Sequence, residues 1–140
     1  MVVRTIVHFE IAAQNPERLA EFYTQVFGWK IEKAPMTGLD YWLISTGPRG
    51  KSLNGGMYRK MRPNDRPRNF VNVADIDKAI RTFRDAGGDE LVGKMEVPGM
   101  GWSFIGADPE GNPIALWQAR MTSRPRPGRS GRRPARRRTK

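Results

Sequence analysis

Apolar residues recur at helical spacing in two stretches of the chain. The first stretch runs from Asn15 to Gly28, and the second runs from Asp75 to Gly88. Asn15 and Asp75 are residue types that cap helix N-termini, and the glycines suit the C-terminal ends. The apolar positions follow the i, i+3, i+4, i+7 pattern: Leu19, Phe22, Tyr23, Val26 and Phe27, then Ile76, Ala79, Ile80 and Phe83. The sequence therefore predicts two amphipathic helices.

Short apolar or alternating segments on both sides of each helix predict β-strands. Turn residues such as Gly47-Pro48 and the segment 108–112 separate them. The predicted strands cover residues 5–11, 29–32, 41–46 and 53–58 in the first half, and 69–73, 90–97, 102–107 and 113–118 in the second. Each half therefore follows the order strand, helix, strand, strand, strand, and the two halves form a repeat.

This repeat predicts one α+β domain over residues 1–119, with module one at about 1–58, a linker at 59–68 and module two at 69–119. A ferredoxin-like βαββαβ fold is the competing architecture. It would place two strands between the helices, whereas the pattern places three there plus the strand that opens the second half. We interpret the linker, which is rich in arginine and proline, as a polar crossover, and an anion-binding patch is the alternative.

The formal net charge of +11 is concentrated in one segment. Residues 120–140 contain ten of the 25 basic residues and no acidic residue, which leaves a net charge of +1 on residues 1–119. This tail has too little apolar surface to offset its ordering entropy, so we expect it to be disordered. It could contact nucleic acid non-specifically by counterion release, or remain solvated without a partner. The absence of cysteine excludes disulfides and thiolate metal sites.

Three segments give the chain a family resemblance. The sequences VHFEI, NPERLAEFYTQVFGW and DPEGNPIALWQ, set in paired βαβββ modules, resemble the vicinal oxygen chelate superfamily of glyoxalase I, bleomycin-resistance proteins, fosfomycin-resistance enzymes and extradiol dioxygenases. The resemblance spans roughly residues 3–119. It implies a curved mixed sheet in which two modules, within a chain or across a dimer, form a cup.

The resemblance also implies a metal site in the active members of the superfamily. One divalent metal is held there by a histidine in each module's first strand and a carboxylate in each module's last strand. The metal binds two neighbouring oxygens of the substrate. Of these four ligand positions, only His8 matches in this chain, so the resemblance is to a member with a degenerate metal site.

The other three positions carry poor metal ligands. In module two the histidine position falls at Arg68 or Asn69, depending on a one-residue gap. The carboxylate positions fall at Ala115 and at Asn54, give or take two residues. Arginine has no acceptor atom. We therefore expect no cofactor, and a divalent metal (Zn, Ni, Mn or Fe) bound with the help of Glu10 is the alternative.

Strand alternation identifies residues that would face the cup. His8 and Glu10 lie on one face of the first strand, and Ala115 and Trp117 lie on one face of the last. The predicted ligand-binding residues are His8, Glu10, Asn54, Asn69, Trp102, Ala115 and Trp117. His8 and Glu10 are also candidates for a catalytic acid–base pair. The alternative is a hydrogen-bonded pair without a catalytic role.

The sequence thus predicts a glyoxalase/bleomycin-resistance-like protein that binds a small organic ligand in its cup without a catalytic metal. A lyase, isomerase or dioxygenase of the same superfamily is the first alternative. An accessory protein that binds nucleic acid through residues 120–140 is the second. We further expect a homodimer, a cytoplasmic location and no membrane contact.

Overall fold

The computed structural model describes residues 3–35 and 40–121. Ten elements follow one another in this part of the chain: β1 (Ile6–Ala13), α1 (Pro16–Phe27), β2 (Lys30–Lys33), β3 (Tyr41–Ser45), β4 (Gly55–Arg59), β5 (Arg68–Asn72), α2 (Ile76–Asp85), β6 (Asp89–Val97), β7 (Gly101–Ala107) and β8 (Pro113–Ala119). The disorder predicted for the basic tail concerns residues 120–140, and residues 122–140 lie outside the described ranges.

The eight strands form one mixed sheet in the order β2-β3-β4-β1-β5-β8-β7-β6. Module one supplies the first four strands and module two the last four. Each module's first strand runs parallel to its last, and β1 and β5 pair antiparallel at the centre of the sheet. The predicted α+β fold of two βαβββ modules is confirmed, and the ferredoxin-like alternative is wrong. The modules join within one chain, a point that the sequence left open.

Both helices begin and end where the cap residues predict. The Asn15 side chain accepts a hydrogen bond from the Arg18 backbone N–H, and Asp75 accepts one from the Lys78 N–H. The first helix ends at Gly28, whose φ of 68° lies in the left-handed region that glycine favours. Neither of these helices is long and apolar enough to cross a membrane, as judged over the residues the structure describes.

Each helix covers an apolar cluster on the same face of the sheet. The cluster under α2 consists of Val73, Ile76, Ile80, Phe104 and Leu116. The cluster under α1 consists of Ala13, Trp42, Ile44 and Met57, with Phe9, Ile11 and Leu19 packed against it. Directly paired residues of neighbouring strands share a face, and Phe9 is paired with Asn69. This pairing places both helices on one face and leaves the opposite face to the candidate site.

The apolar stripe of α1 is wider than the surface that the helix buries. Phe22, Val26 and Phe27 are each more than half exposed. The helix contacts its cluster through Leu19 and Ala20, while Tyr23 stacks on Trp29 at a ring-centroid distance of 5.3 Å. The periodicity therefore predicted the helix correctly but overstated how much of its stripe lies in the core.

Candidate functional site

We call the face of the sheet opposite the helices the cup. Side chains on a strand alternate between the two faces, so residues paired with a cup-facing residue also face the cup. His8 is paired with Phe70, Glu10 with Arg68, and Phe70 in turn with Ala115. The central cup-facing residues are His8, Glu10, Tyr41, Gly56, Tyr58, Arg68, Phe70, Ala115 and Trp117.

An ion pair joins the two modules at the centre of the cup. The Arg68 Nε donates a hydrogen bond of 2.7 Å to the Glu10 Oε1. The side chains of Arg68 and Glu10 are only 17% and 9% exposed. The Arg68 guanidinium also lies over the Tyr58 ring, 4.2 Å from its centroid. Because both charges are largely withdrawn from water, removing either partner would leave the other charge buried without compensation.

A second polar pair lies beside the first. The His8 Nε2 and the Tyr41 hydroxyl share a hydrogen bond of 2.8 Å, and the imidazole meets the Phe70 ring edge-on at 5.3 Å. Burial lowers the pKa of His8 below its ordinary value, and the negative charge of Glu10 only partly opposes this. Burial raises the pKa of Tyr41, and Glu10 adds to the effect. At neutral pH this pair is therefore an uncharged imidazole and a protonated phenol.

Gly56 makes room for this second pair. In the register of the sheet, Gly56 lies between Glu10 on β1 and Leu43 on β3, and it faces the cup. A Cβ atom at this position would overlap the hydroxyl and ring of Tyr41. The phenol can therefore extend across β4 to His8 only because β4 carries a glycine there.

The residues at the four metal positions do not fit the ligand set that the superfamily implies. His8 is present, but Arg68 faces the cup at the second histidine position. The carboxylate positions in the two last strands hold Gly56 in module one and the fully buried Ala115 in module two. Gly56 lies within two residues of the predicted Asn54. No group of three His, Asp or Glu side chains that could hold a metal ion is found among residues 3–35 and 40–121. The carboxylate of Glu10 already pairs with Arg68.

The structure brings four of the predicted ligand-binding residues together on the cup face: His8, Glu10, Ala115 and Trp117. The Asn54 side chain instead accepts a hydrogen bond of 3.0 Å from the Thr46 backbone N–H, so it secures the connection between β3 and β4.

Asn69 and Trp102 require a correction, because they lie on the helix face. Asn69 is paired with Phe9, and Trp102 packs against the cluster under α2. Asn69 had been suggested as the alternative to Arg68 at the superfamily's second histidine position, and Trp102 by the aromatic lining expected of a cup without a metal. The alternation of side chains along β5 and β7 places both residues on the helix face, so neither is kept in the candidate site.

Sequence reasoning missed Tyr41, Gly56, Tyr58 and Phe70. Alternation from Trp42, which is in the core, would have assigned Tyr41 to the cup. No signal in the sequence indicates that its hydroxyl reaches His8, because that contact depends on the register of three strands. Phe70 resembles a core residue by composition, and its place on the cup follows only from its pairing with His8.

A surface depression of about 390 Å³ lies beside the start of α1 and is separate from the network of polar pairs. Its lining is mainly apolar and consists of Ala12, Ala13, Gln14, Asn15, Arg18, Leu19 and Phe22. Only Ala12 connects this depression to the cup face. The chemistry-bearing residues of the chain lie at the cup, and the candidate site is therefore assigned there.

Comparison with known proteins agrees with the fold. The family model described as the Glyoxalase/Bleomycin resistance protein/Dioxygenase superfamily matches residues 5–116. The chain therefore belongs to this superfamily, and the family resemblance seen in the sequence is confirmed. No curated protein sequence matches the chain significantly.

Solved structures with a similar fold include an epimerase and a dioxygenase. A glyoxalase/bleomycin resistance protein/dioxygenase superfamily member from Vibrio splendidus 12B01 matches with a TM-score of 0.59 at 12% identity, over 83% of this chain and 99% of that one. Methylmalonyl-CoA epimerase from Mycobacterium tuberculosis matches with a TM-score of 0.59 at 16% identity, over 86% and 94%. These identities support the shared fold alone.

The 2,3-dioxygenase LapB from Pseudomonas sp. KL28 matches with a TM-score of 0.55 at 13% identity. The match covers 86% of this chain but only 44% of the dioxygenase, so this chain corresponds to less than half of that protein. The same fold thus supports different activities, and function has to be argued from the residues of the cup.

The role of Gly56 leads to a stability prediction. Gly56→Ala should lower the free energy of unfolding by about 1–3 kcal/mol, since the new methyl group must displace the Tyr41 ring. Gly93→Ala in β6 is the matched control, because a Cβ there meets only the exposed carboxylate end of the Glu90 side chain and no ring. Urea denaturation measures both variants. Equal stability of the two variants would contradict the tight approach of Tyr41 to β4.

The lowered pKa of His8 leads to a pH prediction. At pH 7 His8 is neutral in the folded form and mainly neutral in the unfolded form. As the pH falls through the ordinary value of 6.5, the unfolded chain binds the proton first, so the free energy of unfolding should decrease. His8→Gln should flatten this slope between pH 7 and about 5. Because His8 is the only histidine, its NMR titration gives the pKa directly, and a value above 6.5 would contradict the desolvated environment.

Proposed function

We propose that this chain binds a small organic molecule in its cup and that it does so without a metal ion. One observation carries the proposal: the pairs Glu10–Arg68 and His8–Tyr41 occupy the centre of the cup, where the superfamily's metal ligands would lie. A cationic side chain in this position would repel a divalent ion. The same pairs supply the few fixed polar groups that a small-molecule site requires.

The surroundings of these pairs support an organic ligand. Phe70 is buried beside His8, Tyr58 lies under the Arg68 guanidinium, and Trp117 faces the cup from β8. Aromatic walls with a small set of oriented polar groups are typical of sites for flat or amphipathic molecules. Ligands of this kind gain affinity from the walls and orientation from the polar pairs.

The enzymatic alternatives have less support. A metal-dependent lyase, isomerase or dioxygenase would need the ligand set that Arg68, Gly56 and Ala115 replace. An acid–base pair of His8 and Glu10 would need a free carboxylate, whereas Glu10 is held by Arg68 at 2.7 Å. The homodimer, the cytoplasmic location and the nucleic-acid contact of residues 120–140 stay predictions.

Metal addition gives the first test. Zn²⁺, Ni²⁺, Mn²⁺ and Fe²⁺, each at a tenfold excess, should change the Tm by less than about 1 °C, because binding shifts stability only when it favours the folded state. The double variant Arg68→His with Ala115→Glu is the positive control, since it adds a second imidazole and a carboxylate to the cup that holds His8. Stoichiometric metal in the wild-type protein would contradict the proposal.

A fragment screen gives the second test. Some aromatic or amphipathic compounds should raise the Tm of the full chain and shift the His8 imidazole signals. Trp117→Phe should weaken this binding about fivefold, because the smaller ring loses part of the indole's contact with the ligand, worth about 1 kcal/mol. Trp102→Phe is the matched control, because that indole lies on the helix face. If no compound in a broad library moves the His8 signals, the proposal is wrong.

A further inference from the structure

The Arg68 guanidinium has hydrogen-bond donors that the protein does not use. An arginine side chain carries five N–H donors, of which the single Nε–H binds Glu10. The two terminal Nη groups make no hydrogen bond to any residue in the described ranges. No buried side-chain nitrogen or oxygen in those ranges lacks a partner, so the Nη groups of this cup-facing side chain retain contact with solvent.

The open edge of Arg68 is held in one orientation. The Glu10 carboxylate fixes the guanidinium at Nε, and the Tyr58 ring supports one of its faces at 4.2 Å. A guanidinium presents its two Nη groups as a planar fork that matches the two oxygens of a carboxylate. Because the fork is already ordered by the protein, a ligand that binds it loses little further side-chain entropy.

We propose that the cup recognises its ligand through a carboxylate, which binds the Nη edge of Arg68. This inference rests on the proposed function and names the chemical class of the ligand: a small organic carboxylate. Phe70 follows Arg68 by two residues on the same strand face, roughly 7 Å away, and offers an apolar surface for the rest of the molecule. An aromatic acid of one or two rings has this length.

Glu10 competes with such a ligand. Its carboxylate shares the charge of Arg68 and repels a second carboxylate on the same guanidinium. Glu10→Gln keeps an oxygen that can accept from the Arg68 Nε but removes the charge. This variant should therefore bind organic carboxylates more tightly than the wild-type protein does, while its affinity for neutral analogues should not change.

The test uses benzoate and 2-naphthoate as probes, each compared with its primary amide. Affinities are measured at pH 7.5 from the NMR signals of His8, which report on the cup and not on the basic tail. Salt at 0.15 M limits binding to exposed basic residues. We expect the carboxylates to bind at least fivefold more tightly than the amides, and Glu10→Gln to strengthen carboxylate binding about tenfold.

Two further variants control for charge and geometry. Glu90→Gln changes the net charge by the same amount, but Glu90 pairs with Arg84 on the protein surface, so carboxylate binding should stay at its wild-type value. Arg68→Lys keeps the positive charge but loses the planar fork, so the preference for carboxylates over amides should fall severalfold.

Each unfavourable outcome has a separate meaning. Equal binding of carboxylates and amides by the wild-type protein and Glu10→Gln would overturn the carboxylate inference while leaving the proposed function intact. If Glu90→Gln strengthened carboxylate binding as much as Glu10→Gln does, the inference would be overturned, because the effect would then follow from net charge alone. If Glu10→Gln does not fold, full carboxylate preference in Arg68→Lys would overturn it. If no probe binds any variant, the inference is wrong, and the fragment screen alone decides the proposed function.

Discussion

The ion pair between Glu10 and Arg68 is the interaction on which the cup depends. It connects β1 to β5, and therefore module one to module two, at the centre of the sheet. Removing one partner of a largely buried pair costs about 3–5 kcal/mol, because the other charge stays without compensation. The pair also places a cation that belongs to the chain where the superfamily resemblance implies metal ligands.

The remaining polar groups of the cup are arranged around this pair. Glu10 is close enough to raise the pKa of Tyr41, and it partly opposes the effect of burial, which lowers the pKa of His8. Tyr41 then stays protonated, and its ring fills the space that Gly56 leaves open. The cup is thus nearly neutral as a whole, yet it contains one cation with unused donors. Superfamily membership explains the shape of this site, whereas its chemistry comes from the side chains that this chain carries there.

The sequence was sufficient for the fold because the signals for its elements are local. Asn15 and Asp75 cap the helices that they predict, and alternation around His8 identified one face of β1. The site was less predictable because it depends on register. Tyr41 reaches His8 across β4, and Arg68 rather than Asn69 faces the cup, for reasons of strand pairing that no single segment encodes. The exposure of Phe22 was missed because periodicity does not report how wide a surface a helix covers.

The central position of β1 has a consequence for how the chain is made. β1 is synthesised first among the strands, but its neighbours β4 and β5 follow only after more than 40 further residues. On the ribosome, one edge of β1 keeps unpaired backbone groups, and Glu10 lacks its counter-charge, until Arg68 has emerged. Module one therefore cannot reach its final state alone during translation. The pairing of β1 is completed only after β5 of the second module has been synthesised.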